Sequence, residues 1–239
     1  FSRVTSTRTL AFPAVFAVAF RAGAALSVIG QPRMPKIKNA NNVVGSRIIR
    51  LPSHGTRVRL FYPCQPNGGE EDSPYCTDGR ETSDGMAGLV GFRQLGLSFL
   101  LAHLASAKSG CYLNAPIIQG DPLPLLVYSH GYGGNMDMGA YFLKSIASKG
   151  IVVAALEHTD GTASSTLLAD ESRLNFSPGL MSSKDSLRRR ADEVIDAVNC
   201  VPKQLSVVDK SRIFVGGHSY GAPSALLAAQ NSRQSDAIS

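Results

Sequence analysis

Residues 213–221 read Ile213-Phe214-Val215-Gly216-Gly217-His218-Ser219-Tyr220-Gly221, and the helix-favouring run Ala222 to Gln230 follows at once. A short apolar run, a Gly-x-Ser-x-Gly turn and a helix former are the parts of a strand-turn-helix elbow that presents a nucleophilic serine. A serine hydroxyl is a weak nucleophile, and a tight turn at the end of a sheet helps by holding Oγ in the open. Gly217 and Gly221 relieve the crowding such a turn creates, so Ser219 is the candidate nucleophile. His218 neighbours it on the turn and points its ring away, which suits a supporting role and not that of a base. Taken alone, five residues of this kind also recur by chance as an ordinary glycine-rich turn.

Outward from the elbow the pattern repeats. Leu123 to Tyr128, Ile151 to Leu156 and Ile213 to Val215 are apolar runs of the kind found in strands buried on both faces. Met136 to Lys149, stopped by Gly150, lies between the first two; Ser183 to Cys200, with Leu187, Ala191, Val194, Ile195 and Val198 at helical spacing, precedes the third. The alternation predicts an α/β protein with a mostly parallel, doubly wound sheet. Directly after the first run stands Ser129-His130-Gly131-Tyr132-Gly133-Gly134. There an α/β-hydrolase-type fold places the loop that donates an N–H to an oxyanion. The backbone N–H groups of Tyr132 and Tyr220 are the expected donors, with Gly131 and Gly133 letting the loop approach. A phosphate cradle fits poorly, because no G-x-G-x-x-G is present and no Lys-Ser/Thr follows. The second run closes on Glu157-His158-Thr159-Asp160-Gly161-Thr162-Ala163-Ser164, where site loops gather in open α/β sheets.

Taken in chain order, Ser-His-Gly-x-Gly, Glu-His-x-Asp-Gly-x-Ala-Ser and Gly-His-Ser-Tyr-Gly resemble the platelet-activating-factor acetylhydrolase family, plasma or type II branch, of the α/β-hydrolase superfamily. The resemblance runs from Val43 to the end, and the Glu157 to Ser164 stretch discriminates it most. It implies a calcium-independent Ser-His-Asp esterase of the 1-alkyl-2-acetylglycerophosphocholine type, which removes short or oxidised sn-2 acyl groups from phospholipids with no metal and no cofactor. In that fold the acid and base follow the serine, whereas every histidine here precedes Ser219. His130, His158, Asp160 and Glu157 are therefore expected to shape loops. Asp236 is the only acid after Ser219 and lies in a polar segment, which does not suit the triad acid. The sequence thus reads as C-terminally truncated, with an incomplete sheet, the triad Asp and His beyond Ser239, and little activity expected of the fragment. A cutinase-like or polyester esterase shares the first and last motifs but gives no reason for the middle one. A noncatalytic lipid-binding relative is the alternative from another class.

The rest of the chain sets bounds. With 239 residues, 44% of them hydrophobic and 18% charged, one folded domain is expected. The formal charge of +6 is concentrated before Glu70, a stretch with no acid. Residues 1–42 read as a basic targeting or disordered segment: the run Leu10 to Phe20 fits a secretory h-region, and the Ser- and Arg-rich, acid-free composition fits an organellar transit peptide. Secreted, organellar and cytoplasmic locations all stay open. Residues 31–55 read as a linker into a partial hydrolase domain at 43–239. Thr56 to Tyr62 alternates Val58, Leu60 and Tyr62 against Arg57, Arg59 and Phe61, as a half-buried or edge strand does. Cys64 and Cys76 suit either a disulfide or free thiols, and no metal-ligand spacing is present.

Met86 to Ala107 reads as one broad apolar helix. The resemblance makes it a lipid-facing helix, with Phe92, Leu97, Phe99 and Leu100 dipping into a membrane or lipoprotein surface; a core helix is an equal reading. Arg188 to Arg190 reads as a solvated charged face. Nothing in the domain resembles a nucleic-acid surface, since no basic stripe carries interleaved aromatics.

Overall fold

The computed structural model describes residues 32–236 of the chain. The run Leu10 to Phe20 and the targeting segment read around it lie outside the described residues. Nine strands are described: β1 Val44–Arg50, β2 Arg57–Pro63, β3 Asp72–Pro74, β4 Lys108–Leu113, β5 Leu123–Ser129, β6 Val152–Glu157, β7 Ser165–Leu167, β8 Arg173–Asn175 and β9 Val208–Gly217. The helices are α1 Arg80–Leu89, α2 Ala140–Ala147, α3 Lys184–Gln204 and α4 Gly221–Asp236, with 3-10 turns at Ser98–Ser106 and Leu180–Ser182. Seven strands form one sheet in the order β3-β4-β1-β2-β6-β5-β9, and β7 pairs with β8 separately.

The sheet is mixed. β5 lies parallel to both β6 and β9, as the apolar runs predict. β2 runs antiparallel to β1 and to β6. The reason is local: a short turn closed by Leu51 N–H to the Thr56 carbonyl at 2.8 Å joins β1 to β2, and so short a connection permits only antiparallel pairing. β1 itself falls inside the stretch expected to be linker. The residues before it also lie on the domain: Met34 N–H donates to the Lys108 carbonyl at 2.9 Å, and Arg33 pairs with Asp72 at 2.7 Å.

Two further expectations are corrected. β2 is no edge strand; all seven of its residues are buried between two neighbours. Its arginines are tolerated because each has a buried carboxylate: Arg57 meets Glu157 at 2.6 Å and Asp78 at 2.6 Å, and Arg59 meets Asp137 at 2.5 Å. Alternation of arginine with apolar residues signals water only where no acid waits on the facing element.

Met86 to Ala107 is not one helix. α1 ends at Leu89, Gly91 and Gly96 take φ of 80° and 69°, and such left-handed glycines stop a helix. A 3-10 segment follows in which no residue is buried. Phe92, Leu97, Phe99 and Leu100, all half-buried, are therefore spread over turns and a 3-10 segment and share no α-helical face.

The core lies on both sides of the sheet. α3 and α4 cover one face through Ala191, Val194, Ala197, Val201 and Ala228, and α2 covers the other through Ala140, Leu143 and Ala147. Cys64 and Cys76 are separate buried thiols with no disulfide between them, and burial pushes each up to about 12. Among the described residues no helix is long and apolar enough to cross a membrane, and no cluster of three His, Cys, Asp or Glu has metal-site geometry.

Candidate active site

Ser219 stands between the last residue pair of β9 and the first turn of α4 with φ 52°, a left-handed value that a non-glycine residue adopts at a strained turn. The turn is packed too closely for side chains around it. A Cβ on Gly221 would lie 2.0 Å from the Ser129 carbonyl oxygen, and one on Gly217 would lie 2.3 Å from the Gly221 backbone. His218 N–H donates to that same Ser129 carbonyl at 3.2 Å. The elbow is thus pressed onto the end of β5, and the glycines make that approach sterically feasible.

The Ser129–Gly134 loop leans over it. A Cβ on Gly131 would sit 3.2 Å from Ser219 Cβ, and Gly133, at φ 73°, would clash with Leu89 at 2.4 Å. The Gly131 carbonyl accepts from His130 Nδ1 at 2.8 Å and from Gly134 N–H at 2.9 Å. In a planar trans peptide the N–H points opposite to its carbonyl, so these bonds turn the Tyr132 N–H outward. The same logic holds at the elbow, where the Ser219 carbonyl accepts from Ala222 N–H at 3.0 Å and the Tyr220 N–H faces the other way. Among the described residues no acceptor takes either amide. The Tyr132 ring is anchored by its hydroxyl, which donates to the Ser177 carbonyl and accepts from Leu180 N–H, both at 3.0 Å, and it meets the Tyr220 ring edge-on at 5.8 Å. A cavity of about 290 Å³ opens here, lined by Ser219, His218, His130, Tyr132, Leu89 and Met138 among others.

The Glu157–Ser164 loop does not line this cavity; it braces the loop that does. Gly133 N–H donates to the Thr162 carbonyl at 2.7 Å, and Ser164 N–H donates to the Gly134 carbonyl at 2.9 Å. Asp160 accepts from Thr162 and from Arg190, while Glu157 is the partner of Arg57, with burial pushing its carboxyl up against the pull of that arginine. His158, Ser129 and Glu193 form an array that sequence reading did not anticipate: His158 Nε2 is 2.7 Å from Ser129 Oγ, and its Nδ1 is 2.6 Å from Glu193. A carboxylate only accepts, so Nδ1 carries a proton and Nε2 takes the serine hydroxyl. This resembles a Ser-His-acid triad, yet all three residues are at most 0% exposed and none borders the cavity, which makes the array a buried tie between β5, β6 and α3.

Arg190 corrects the reading of Arg188 to Arg190 as a solvated face. Arg188 is exposed, but Arg190 is completely buried and faces the site loops. The signal was available: Arg190 and Glu193 fall in helical phase with Ala197 and Val201, on the stripe that α3 turns to the core. His130 is likewise buried, and burial together with the neighbouring Arg190 and His158 holds its pKa well below the ordinary histidine value, so its ring is neutral. Among the described residues no histidine is hydrogen-bonded to Ser219 Oγ.

Comparison with known proteins gives the family. The model of the family described as platelet-activating factor acetylhydrolase, isoform II, matches residues 28–201, most of the chain, and stops before the elbow. Among curated proteins, the chain is 27% identical to the platelet-activating factor acetylhydrolase of Canis lupus familiaris over 85% of this chain and 53% of that protein. It is 28% identical to the Gallus gallus protein of the same name over 71% of this chain and 50% of that one. The chain therefore spans about half the length of the curated relatives it matches. Among solved structures, a ferulic acid esterase from Streptomyces cinnamoneus superposes with a TM-score of 0.63 at 21% identity, over 85% of this chain and 60% of the other. That likeness establishes the α/β-hydrolase fold.

Proposed function

The chain belongs to the platelet-activating factor acetylhydrolase, isoform II, family, and from that premise we propose that the whole protein is a serine esterase that removes short or oxidised sn-2 acyl groups from platelet-activating-factor-like phospholipids. Ser219 is the nucleophile of this reading. As its Oγ attacks the ester carbonyl its proton passes to a general base of the whole protein, a tetrahedral carbon forms, and the negative oxygen turns toward the Tyr132 and Tyr220 amides. Fixed donors aimed at developing charge are worth about 10²- to 10³-fold each in hydrolases of this type. Collapse breaks the ester C–O bond as that base returns the proton to the lysophospholipid oxygen; water, giving a proton to the same base, then attacks the acyl carbon, and the base hands the proton to Oγ as the free acid leaves.

The observation that carries the proposal is the strained turn at Ser219 set against two outward-facing, untaken amides. The cavity supports a small acyl group: about 290 Å³ lies at the small end of the range for ligand pockets, and Leu89 closes on Gly133 at its wall. The test is to label the full-length protein with an organophosphonate and map the adduct. An adduct on any residue but Ser219 overturns the assignment. Hydrolysis of polymer or long-chain esters without hydrolysis of an sn-2 acetyl phospholipid would favour the cutinase-like reading.

The surface beside the cavity supports contact with a lipid interface. Val90 is 57% exposed, Leu95 68% and Phe142 57%, next to the lining residues Leu89, Met138 and Tyr128. Phe92, Leu97, Phe99 and Leu100 are half-buried on the stretch that follows Leu89 and Val90 in the chain. Vesicle binding that stays unchanged after Phe99→Asp and Leu100→Asp, in a folded protein, counts against it.

A further inference from the structure

We propose that Arg190 is the positioning residue of the oxyanion site, one guanidinium that holds the Tyr132 and Tyr220 amides in register; the inference rests on the esterase reading above. Its contacts are with three separate segments. Nη1 donates to the His130 carbonyl at 2.6 Å. Nε and Nη2 donate to Thr162 Oγ1 at 2.9 Å and 2.6 Å, and Nε lies 3.2 Å from Asp160 Oδ2. Its guanidinium carbon stands 5.0 Å from the centroid of the Tyr220 ring, over its face, a cation–π contact strengthened by exclusion of water.

Each contact has a consequence for a donor. The His130 carbonyl belongs to the peptide immediately before the one that carries the Tyr132 N–H, so anchoring it fixes the plane from which the next peptide turns. The same guanidinium lies 3.4 Å from His130 Nδ1. That nitrogen already donates to the Gly131 carbonyl and so cannot accept from the arginine; burial, and the cation beside it in second place, oppose protonation of the ring and leave it a neutral single donor. The Gly131 carbonyl held by His130 in turn sets the direction of the Tyr132 N–H. On the other side, the ring over Arg190 belongs to Tyr220 itself, whose N–H is the second donor. Thr162 and Asp160 close the frame, since the Thr162 carbonyl also accepts from Gly133 N–H at 2.7 Å.

A fully buried cation is costly to keep, and its apolar neighbours on α3, Ala191, Val194 and Ala197, pack the core without one. A planar fork with five donors is the side chain that reaches a carbonyl, a hydroxyl, a carboxylate and a ring face at once. Lysine offers one point charge in its place.

The experiment uses the full-length protein and compares wild type with Arg190→Lys and Thr162→Val. A shift of an ångström at a reacting centre costs about 10²-fold, so Arg190→Lys is expected to lower kcat about 100-fold while KM stays within about threefold. Organophosphonate labelling of Ser219 should slow in parallel, because the phosphoryl oxygen of the adduct uses the same two amides. Thr162→Val, which removes two of the guanidinium's bonds and keeps the side-chain shape, should lower kcat by a smaller factor of the same kind. A kcat within twofold of wild type in both variants overturns the proposal, and so does a rise in KM with kcat unaltered. Should Arg190→Lys fail to fold, Thr162→Val alone is read by the same criteria. Wild-type protein that does not label at Ser219 sinks the esterase reading itself, whereas the ratio of variant to wild type judges Arg190.

Discussion

Behind Ser219 the molecule is polar, buried and cross-braced, and in front of it, from Val90 to Ser106, it is largely apolar and half-exposed. The floor is made of Arg190, Asp160, Thr162, His158, Glu193 and Ser129, with Arg59 and Asp137 beneath the next loop; almost every polar atom there has a named partner. The rim has no buried residue in its 3-10 segment. Buried polar networks, when satisfied, permit one arrangement, and a half-exposed apolar surface permits many. Under the proposed function the contrast separates two tasks: holding amide donors to a fraction of an ångström, and meeting a lipid surface.

If that division is right, substitutions in the floor and rim should differ in kind as well as size. Ser219→Ala, at the boundary, should give the largest effect: esterase activity of the full-length protein falls by about 10⁴-fold or more, measured by release of a chromogenic short-chain acid, with folding intact. Asp137→Ala leaves the Arg59 guanidinium buried without its carboxylate and should cost about 3–5 kcal/mol in urea unfolding. Gly221→Ala drives a Cβ into the Ser129 carbonyl and should cost about 1–3 kcal/mol while slowing organophosphonate labelling.

Acid offers a gentler way to load the same floor. His130 stays neutral in the folded protein, while in the unfolded chain it titrates near 6.5. Above that pH the two states bind equal protons and nothing changes. Below it only the unfolded chain takes up the proton, so stability should fall as pH drops, by up to about 1.4 kcal/mol per pH unit. Urea midpoints at pH 7.5 and 5.5 measure the slope; His158, held neutral by burial in the same way, adds a like contribution, so His130→Asn should remove about half of it. The smallest effect is expected on the rim, where Leu95→Ser should change stability by less than about 0.5 kcal/mol. A large loss there would erase the distinction between rim and floor.

What the sequence discloses follows the same divide. Ser219, the loop at Gly131 and the strands β5, β6 and β9 were legible because glycine punctuation and unbroken apolar runs are local signals. The partners of charged residues were not. Arg57 and Arg59 look solvated until Glu157 and Asp137 arrive from 100 and 78 residues away, and Arg190 looks like one of three surface arginines until its helical phase is weighed. Gly91 and Gly96 are local breakers inside Met86 to Ala107, a weaker signal than the apolar periodicity around them until their left-handed φ is seen.

Arg190 has one more implication, for the order in which the molecule is made. A chain leaving the ribosome exposes its N-terminal part first, so the segments around His130 and Thr162 are synthesised well before the helix that carries their common anchor. They have no cation to gather around until α3 docks. The loops around the cavity are accordingly gathered only once α3 has docked, and the elbow that carries His218 and Ser219, synthesised later still, completes the lining.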